Sequence, residues 1–107
     1  MQISLFNDWR KNVVQSGKIE KLIAEGRYTV VDVEGEEVFS DKSIGEWEKE
    51  LKDQDFVRIH KSYIVNLRYV IKIGNTVILK DGTIVPLARR RKKEFDERYR
   101  EYLMREK

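Results

Sequence analysis

The chain has 107 residues, 40% hydrophobic and 38% charged, with a formal net charge of +3 and no cysteine. That length suits one core and no second lobe, and a charge content above the ~25% of an average globular domain surrounds it with a densely ionic surface. The lack of cysteine excludes a disulfide framework and thiolate chemistry and suits a reducing cytoplasm; no apolar run approaches the roughly 18–20 residues of a membrane span, and Met1-Gln2-Ile3-Ser4 opens no signal segment.

Residues 3–6 and Val13-Val14 are short and apolar, separated by the polar stretch NDWRKN. Two strands about a turn compete there with one amphipathic helix carrying Phe6, Trp9 and Val13, and the strands are the expected outcome. From Ile19, the segment with Leu22-Ile23-Ala24 reads as a strand, Glu25-Gly26 as a turn, and residues 27–33 as a second strand rich in β-branched and aromatic side chains. Glu34-Gly35 signals a tight turn returning through residues 36–40. Ser43-Ile44-Gly45-Glu46 has capping-box spacing, so a helix of about three turns is predicted. Ile44, Trp47 and Leu51 form its docking stripe, Glu48, Lys49, Glu50 and Lys52 face water, and Asp53-Gln54-Asp55 ends it.

Five short β-rich runs follow, at residues 56–60, 63–67, 69–73, 76–80 and 83–87. Gly74-Asn75 and Asp81-Gly82 are two-residue loops of the kind that supply positive φ, which predicts a three-stranded meander over residues 69–87. Pro86 has no N–H for a ladder and belongs near a strand end or on an edge. Phe95, Tyr99, Tyr102 and Leu103 then recur at helical spacing, with Glu94/Arg98, Asp96/Arg100 and Glu101/Arg105 as i,i+4 ion pairs. The expected fold is mostly β: antiparallel sheets or a sandwich, one short mid-chain helix and a C-terminal amphipathic helix.

Residues 89–107 hold nine Lys/Arg against five Asp/Glu, leaving 13 against 14 in the rest of the chain. The positive surplus is therefore C-terminal and begins with Arg89, Arg90, Arg91, Lys92 and Lys93 where the last helix should start. A helix N-terminus already carries partial positive charge, so each exposed cation there costs roughly 0.3–1 kcal/mol. A phosphate backbone would relieve that conflict, although a solvated helix face would produce a similar count. Within FVRIHKSYIVNL (residues 56–67), Arg58, His60, Lys61 and Ser62 interrupt two apolar runs, and His60, Lys61 and Ser62 can all donate to phosphate oxygens or base acceptors. Arg27-Tyr28 after the Glu25-Gly26 turn forms a further cationic loop. His60 also reads as a core histidine bonded to a backbone carbonyl; it has no partner at metal-ligand spacing, and no nucleophile is arranged about it although Ser62 is near. Asn66 reads as a structural strand-end residue satisfying neighbouring backbone groups.

FVRIHKSYIVNL resembles the signature of LytTR DNA-binding domains, in which a strand ending in Arg-x-His precedes a basic or polar residue, Ser, an aromatic and an apolar-Val-Asn run. Upstream, Ile19-x-x-Leu22 with AEGRYTVV, and Ser43-Ile44-x-x-Trp47-Glu48-x-x-Leu51, are similar to other parts of that family; so is LKDGTIVPLARRRKKEF downstream. Together these motifs cover about residues 19–103 of a single domain spanning 1–107. The resemblance implies a compact antiparallel β fold whose loops, rather than a recognition helix, enter the grooves of double-stranded DNA. By position it places Arg27 and Tyr28 in a first DNA-facing loop, Arg58, Lys61 and Ser62 in a second, and Arg89, Arg90, Arg91 and Lys93 in a third. The equivalents of Lys61 and Arg90 contact bases, whereas Arg58, Ser62 and Lys93 match phosphate-contacting positions. Lys61 is often Arg or Asn in the family, so a base preference does not carry over, and Ala88 stands where Ser is frequent. Family members commonly carry a receiver domain phosphorylated by a histidine kinase. About 18 residues precede the recognisable part, and an excised domain and a small stand-alone regulator stand as alternatives.

The reading that follows is a cytoplasmic, sequence-specific DNA-binding domain of a bacterial transcription regulator in a two-component system. Promoter DNA is its expected partner, and a second copy on adjacent repeats is admitted; no catalytic residue, metal, cofactor, membrane or small-molecule substrate is expected. The first rival is a β-rich interaction module whose basic loops meet an acidic protein. A hydrolase using His60 ranks below it. RNA is disfavoured because Tyr28, Tyr63 and Tyr69 form no paired stacking motif.

Overall fold

The computed structural model describes residues 1–6 and 11–106. Along them run β1 (Gln2–Phe6), β2 (Lys11–Gln15), β3 (Ile19–Glu25), β4 (Tyr28–Val33), β5 (Glu36–Ser40), α1 (Ile44–Glu50), β6 (Phe56–His60), β7 (Tyr63–Asn66), β8 (Val70–Ile73), β9 (Thr76–Leu79), β10 (Ile84–Pro86) and α2 (Lys92–Arg105). The strands make a β1-β2 hairpin, a central sheet in the order β5-β4-β3-β7-β6, and a smaller sheet in the order β10-β9-β8. Every pairing is antiparallel. The chain is thus mostly antiparallel β with a mid-chain and a C-terminal helix, and its N-terminal segment takes the strand option. Trp9, which the helical option required, lies outside the described residues.

Because side chains alternate across a strand, the central sheet can feed two cores. Leu22, Val31, Ile64 and Phe56 meet Ile3 and Leu5 of β1 and Ile44, Trp47 and Leu51 from the α1 segment. Val57 and Val65, on the other side, meet Val70, Val77, Leu79 and Val85 of the small sheet and Phe95 of α2. Each fully buried Leu, Ile or Val contributes roughly 1.5–3 kcal/mol, so the central sheet is clamped from both faces. Its end loops consequently project from a rigid base.

Two of the turns follow expectation and two depart from it. Glu34 and Gly35 both take positive φ, 52° and 92°, as a type I′ hairpin demands, and Gly26 at 59° supplies the positive φ of the β3–β4 turn. Gly82 also has positive φ, at 89°, but β9 and β10 are joined by four residues, with the Gly82 N–H closing onto the Leu79 carbonyl. Gly74-Asn75 joins β8 to β9 without positive φ; a bond from the Gly74 N–H to the Thr76 carbonyl at 3.0 Å closes that loop instead. Pro86 ends β10, an edge strand.

The capping box forms as expected: Ser43 Oγ accepts from the Glu46 N–H at 3.1 Å, and Glu46 Oε1 accepts from the Ser43 N–H at 3.3 Å. However, α1 has seven residues, about two turns rather than three, because Leu51 leaves helical geometry (φ −96°, ψ 9°) and the chain goes on as irregular turns. In α2, Phe95 is buried and Tyr99 and Tyr102 pack beside it, but Leu103 is 46% exposed. At ~100° per residue it lies about 80° around the helix from Phe95, at the margin of the stripe. The helix charges also find other partners: Asp96 takes Lys92 at 2.8 Å, Arg105 takes Asp55 at 2.6 Å, and Arg98 donates to the Gln54 carbonyl at 3.2 Å. Asp96 thus pairs one turn back with Lys92 rather than forward with Arg100, while Arg98 and Arg105 take tertiary partners in place of Glu94 and Glu101.

Candidate nucleic-acid interface

Sheet order gathers the three basic loops at one end of the central sheet. β3 lies between β4 and β7, with Ile23 opposite both Val30 and Tyr63. The β3–β4 turn that carries Arg27 therefore sits beside the β6–β7 turn that carries Lys61 and Ser62, and the Ala24 N–H bonds to the Ser62 carbonyl at 2.9 Å. On the far side of β6, the Ala88 N–H bonds to the Ile59 carbonyl at 2.7 Å. That bond places the Arg89–Arg91 3-10 turn beside the same strand end. Loops separated by more than 60 residues in sequence thus form one continuous edge.

Exposure along this edge is uneven. Arg27 and Tyr28 are exposed, as are Lys61, Arg89, Arg90 and Lys93, whereas Ser62 and Arg91 are half-buried. The side chain of Arg58 is 18% exposed and already engaged. Its Nη1 meets Glu48 Oε1 at 2.9 Å, its Nη2 donates to the Lys61 carbonyl at 2.6 Å, and its Nε donates to the His60 carbonyl at 3.4 Å. Arg58 thus stands behind the Lys61 loop, while Lys61 itself extends into solvent. Glu48, expected to face water alone, is the carboxylate that receives Arg58; the two residues lie ten apart on a helix and a strand, a spacing that gave no local pattern.

The third loop resolves the conflict seen in the sequence by splitting the cationic run. Arg89–Arg91 forms a 3-10 turn and α2 begins only at Lys92, so Arg89 and Arg90 lie outside the α-helix. Lys92 is neutralised by Asp96 one turn on. Arg91 sits at the N-cap without making a side-chain cap, and its Nε is buried without a hydrogen-bond partner. A shallow groove of 450 Å³ is lined by Arg89, Lys92, Lys93, Asp96, Glu97 and Arg100. Arg100 joins this basic surface although it was read only as an ion-pair partner; its spacing of seven from Lys93 was the available signal.

His60 and Asn66 brace the framework behind the edge. His60 Nδ1 accepts from the Ser62 N–H at 3.1 Å, so the expected bond to a carbonyl is replaced by one from an amide, and the ring stands edge-on to Tyr63 at 5.7 Å. Ser62 therefore meets His60 through its backbone N–H. Asn66 donates to the Ile19 carbonyl at 2.9 Å and accepts from the Arg68 N–H at 3.0 Å, the structural part expected of it. Among the described residues, no group of three or more His, Cys, Asp or Glu could hold a metal ion, and no helix is long and apolar enough to cross a membrane.

The chain is similar to known proteins in both sequence and fold. The LytTr DNA-binding domain family model matches residues 10–100. The sensory transduction protein LytT of Bacillus subtilis (strain 168) is 40% identical over 53 aligned positions, spanning 44% of this chain and 22% of that protein's length. A solved LytTr DNA-binding domain from Bacillus cereus superposes with a TM-score of 0.78 at 24% identity, covering 91% of this chain and 94% of that one.

Proposed function

The chain belongs to the LytTr DNA-binding domain family, and from that membership we propose that it binds double-stranded DNA sequence-specifically as the output module of a bacterial response regulator. The observation that carries the finer reading is the convergence of three cationic loops on one end of a rigid sheet, joined by the Ala24–Ser62 and Ala88–Ile59 backbone bonds. Lys61 and Arg90 read base edges; Arg27, Tyr28, Ser62, Arg89, Arg91 and Lys93 hold sugar and phosphate. The loops enter the grooves, and the module acts in the cytoplasm on promoter DNA, with no cofactor. A second copy on an adjacent repeat is compatible with this arrangement.

The test is selection from a random duplex library followed by footprinting on the enriched sequence. A protected site that includes the enriched motif is expected. Failure of any motif to enrich, with equal retention on heparin and random DNA, would favour a basic interaction module for an acidic partner.

A further inference from the structure

The β6–β7 turn is built unlike its neighbours. Two-residue hairpin turns match strand twist best with positive φ at one or both central positions. Here Lys61 and Ser62 occupy the turn, neither is glycine, and neither takes positive φ. The register slips between Arg58 and His60, where Ile59 is the extra residue, so the strand is bent just before the turn. Turn geometry alone therefore does not set this backbone. Side chains and a neighbouring strand do: Arg58 holds the His60 and Lys61 carbonyls, His60 Nδ1 takes the Ser62 N–H, and the Ala24 N–H takes the Ser62 carbonyl.

We infer that Arg58 is a positioning residue, braced by Glu48, that fixes the backbone from which Lys61 projects. The inference rests on the reading that this end of the sheet meets DNA. A guanidinium has donors on three nitrogens, and in Arg58 each nitrogen is directed at a protein oxygen. Glu48 balances its charge from α1, an element held by the first core. The alternative, in which Arg58 supplies a phosphate contact, makes Glu48 a competitor of DNA. The two roles predict opposite signs. As a brace, Glu48 strengthens binding although it adds negative charge to a DNA-facing edge; as a competitor, it weakens binding.

The experiment compares wild-type protein, Glu48→Gln, Arg58→Lys and Arg58→Ala on the best duplex from the random-library selection and on a shuffled duplex of the same composition, over a salt series. Glu48→Gln keeps the shape and removes the charge of a half-exposed surface residue, so folding is retained. It should weaken the selected duplex by roughly two- to fivefold and lower its preference over the shuffled one, with an unchanged salt slope. Arg58→Lys keeps a charge for phosphate but loses the fork, and should lose selectivity as Arg58→Ala does. Tighter or unchanged binding by Glu48→Gln, or full selectivity in Arg58→Lys, overturns the positioning role. Backbone 15N relaxation without DNA gives an independent readout: order parameters at Lys61 and Ser62 should fall in Glu48→Gln and Arg58→Lys, and unchanged values also overturn it. If wild-type protein prefers no duplex, the DNA reading fails, while relaxation still decides whether Arg58 and Glu48 hold the turn.

Discussion

Lys61 is exposed at the tip of a turn whose neighbouring polar groups are bonded, so truncating it removes a contact and leaves the scaffold in place. Lys61→Ala and Arg90→Ala should each cost ~1–3 kcal/mol on a selected duplex and relax base preference, whereas Lys93→Ala should weaken selected and random duplexes alike. Gel-shift titrations on both duplexes check this, and identical behaviour of all three would remove the division into base and phosphate contacts. A second single-residue test concerns stability. Burial and the nearby Asp32, Asp81 and Glu34 carboxylates hold the Glu20 carboxyl above its ordinary value of 4.5, with Lys21 opposing them. A raised folded-state pKa means that ionised Glu20 opposes folding at neutral pH, and that the folded protein takes up this proton before the unfolded chain as pH falls. Glu20→Gln should therefore raise the thermal midpoint at pH 7, and the gain should shrink as pH falls through the raised folded-state value and vanish well below 4.5, where the wild-type side chain is neutral in both states. A midpoint difference that does not change with pH would refute this.

At the scale of elements, α1 is short enough that its cap matters to the site. Seven residues with two buried side chains give little intrinsic stability, and the Ser43–Glu46 box ties down its first turn, one residue before the Trp47 that fills the first core and two before Glu48. Ser43→Ala should destabilise the protein by about 1 kcal/mol in urea unfolding, and a change near zero would show that the core alone holds the helix. That box was legible because it is a local spacing, as were the Glu34-Gly35 hairpin, the stripe of α2 and the edge position of Pro86. What could not be read were outcomes of tertiary competition. Leu51 is drawn into the core and stops α1 early; Arg105 prefers Asp55, fifty residues away, to Glu101 on its own helix; the bulge at Ile59 and the Glu48–Arg58 pair exist only once β6 has docked beside α1. Of the nine residues singled out for DNA, the exposed cations lie where a shared edge can use them, because loops between well-patterned strands inherit their places from the sheet. Arg58 differs because its carboxylate partner, Glu48, comes from a helix that no pattern connects to it.

For the whole molecule, the arrangement of charge matters more than the net +3. Arg27, Lys61, Arg89, Arg90, Arg91 and Lys93 gather at one end of the central sheet, and the β4–β5 turn, with Glu34, Glu36 and Glu37, lies at the other. The six residues of β4 separate the two ends by about 20 Å at ~3.4 Å per residue, beyond the ~8 Å screening length at physiological salt. DNA held at the cationic end should therefore scarcely sense the acidic one. Neutralising roughly six phosphates gives log K against log salt a slope on the order of −5, and each cation removed from the loops should flatten it by about 0.9. Reversing two distant charges with Glu36→Lys and Glu37→Lys should leave that slope unchanged at physiological salt, although those substitutions alter net charge by more than Arg89→Ala does. Fluorescence-anisotropy titrations over a salt series measure both. A slope that follows net charge, steepening with the distant reversals, would mean that the protein attracts DNA as a diffuse cation, and the loop-edge assignment would fall with that result.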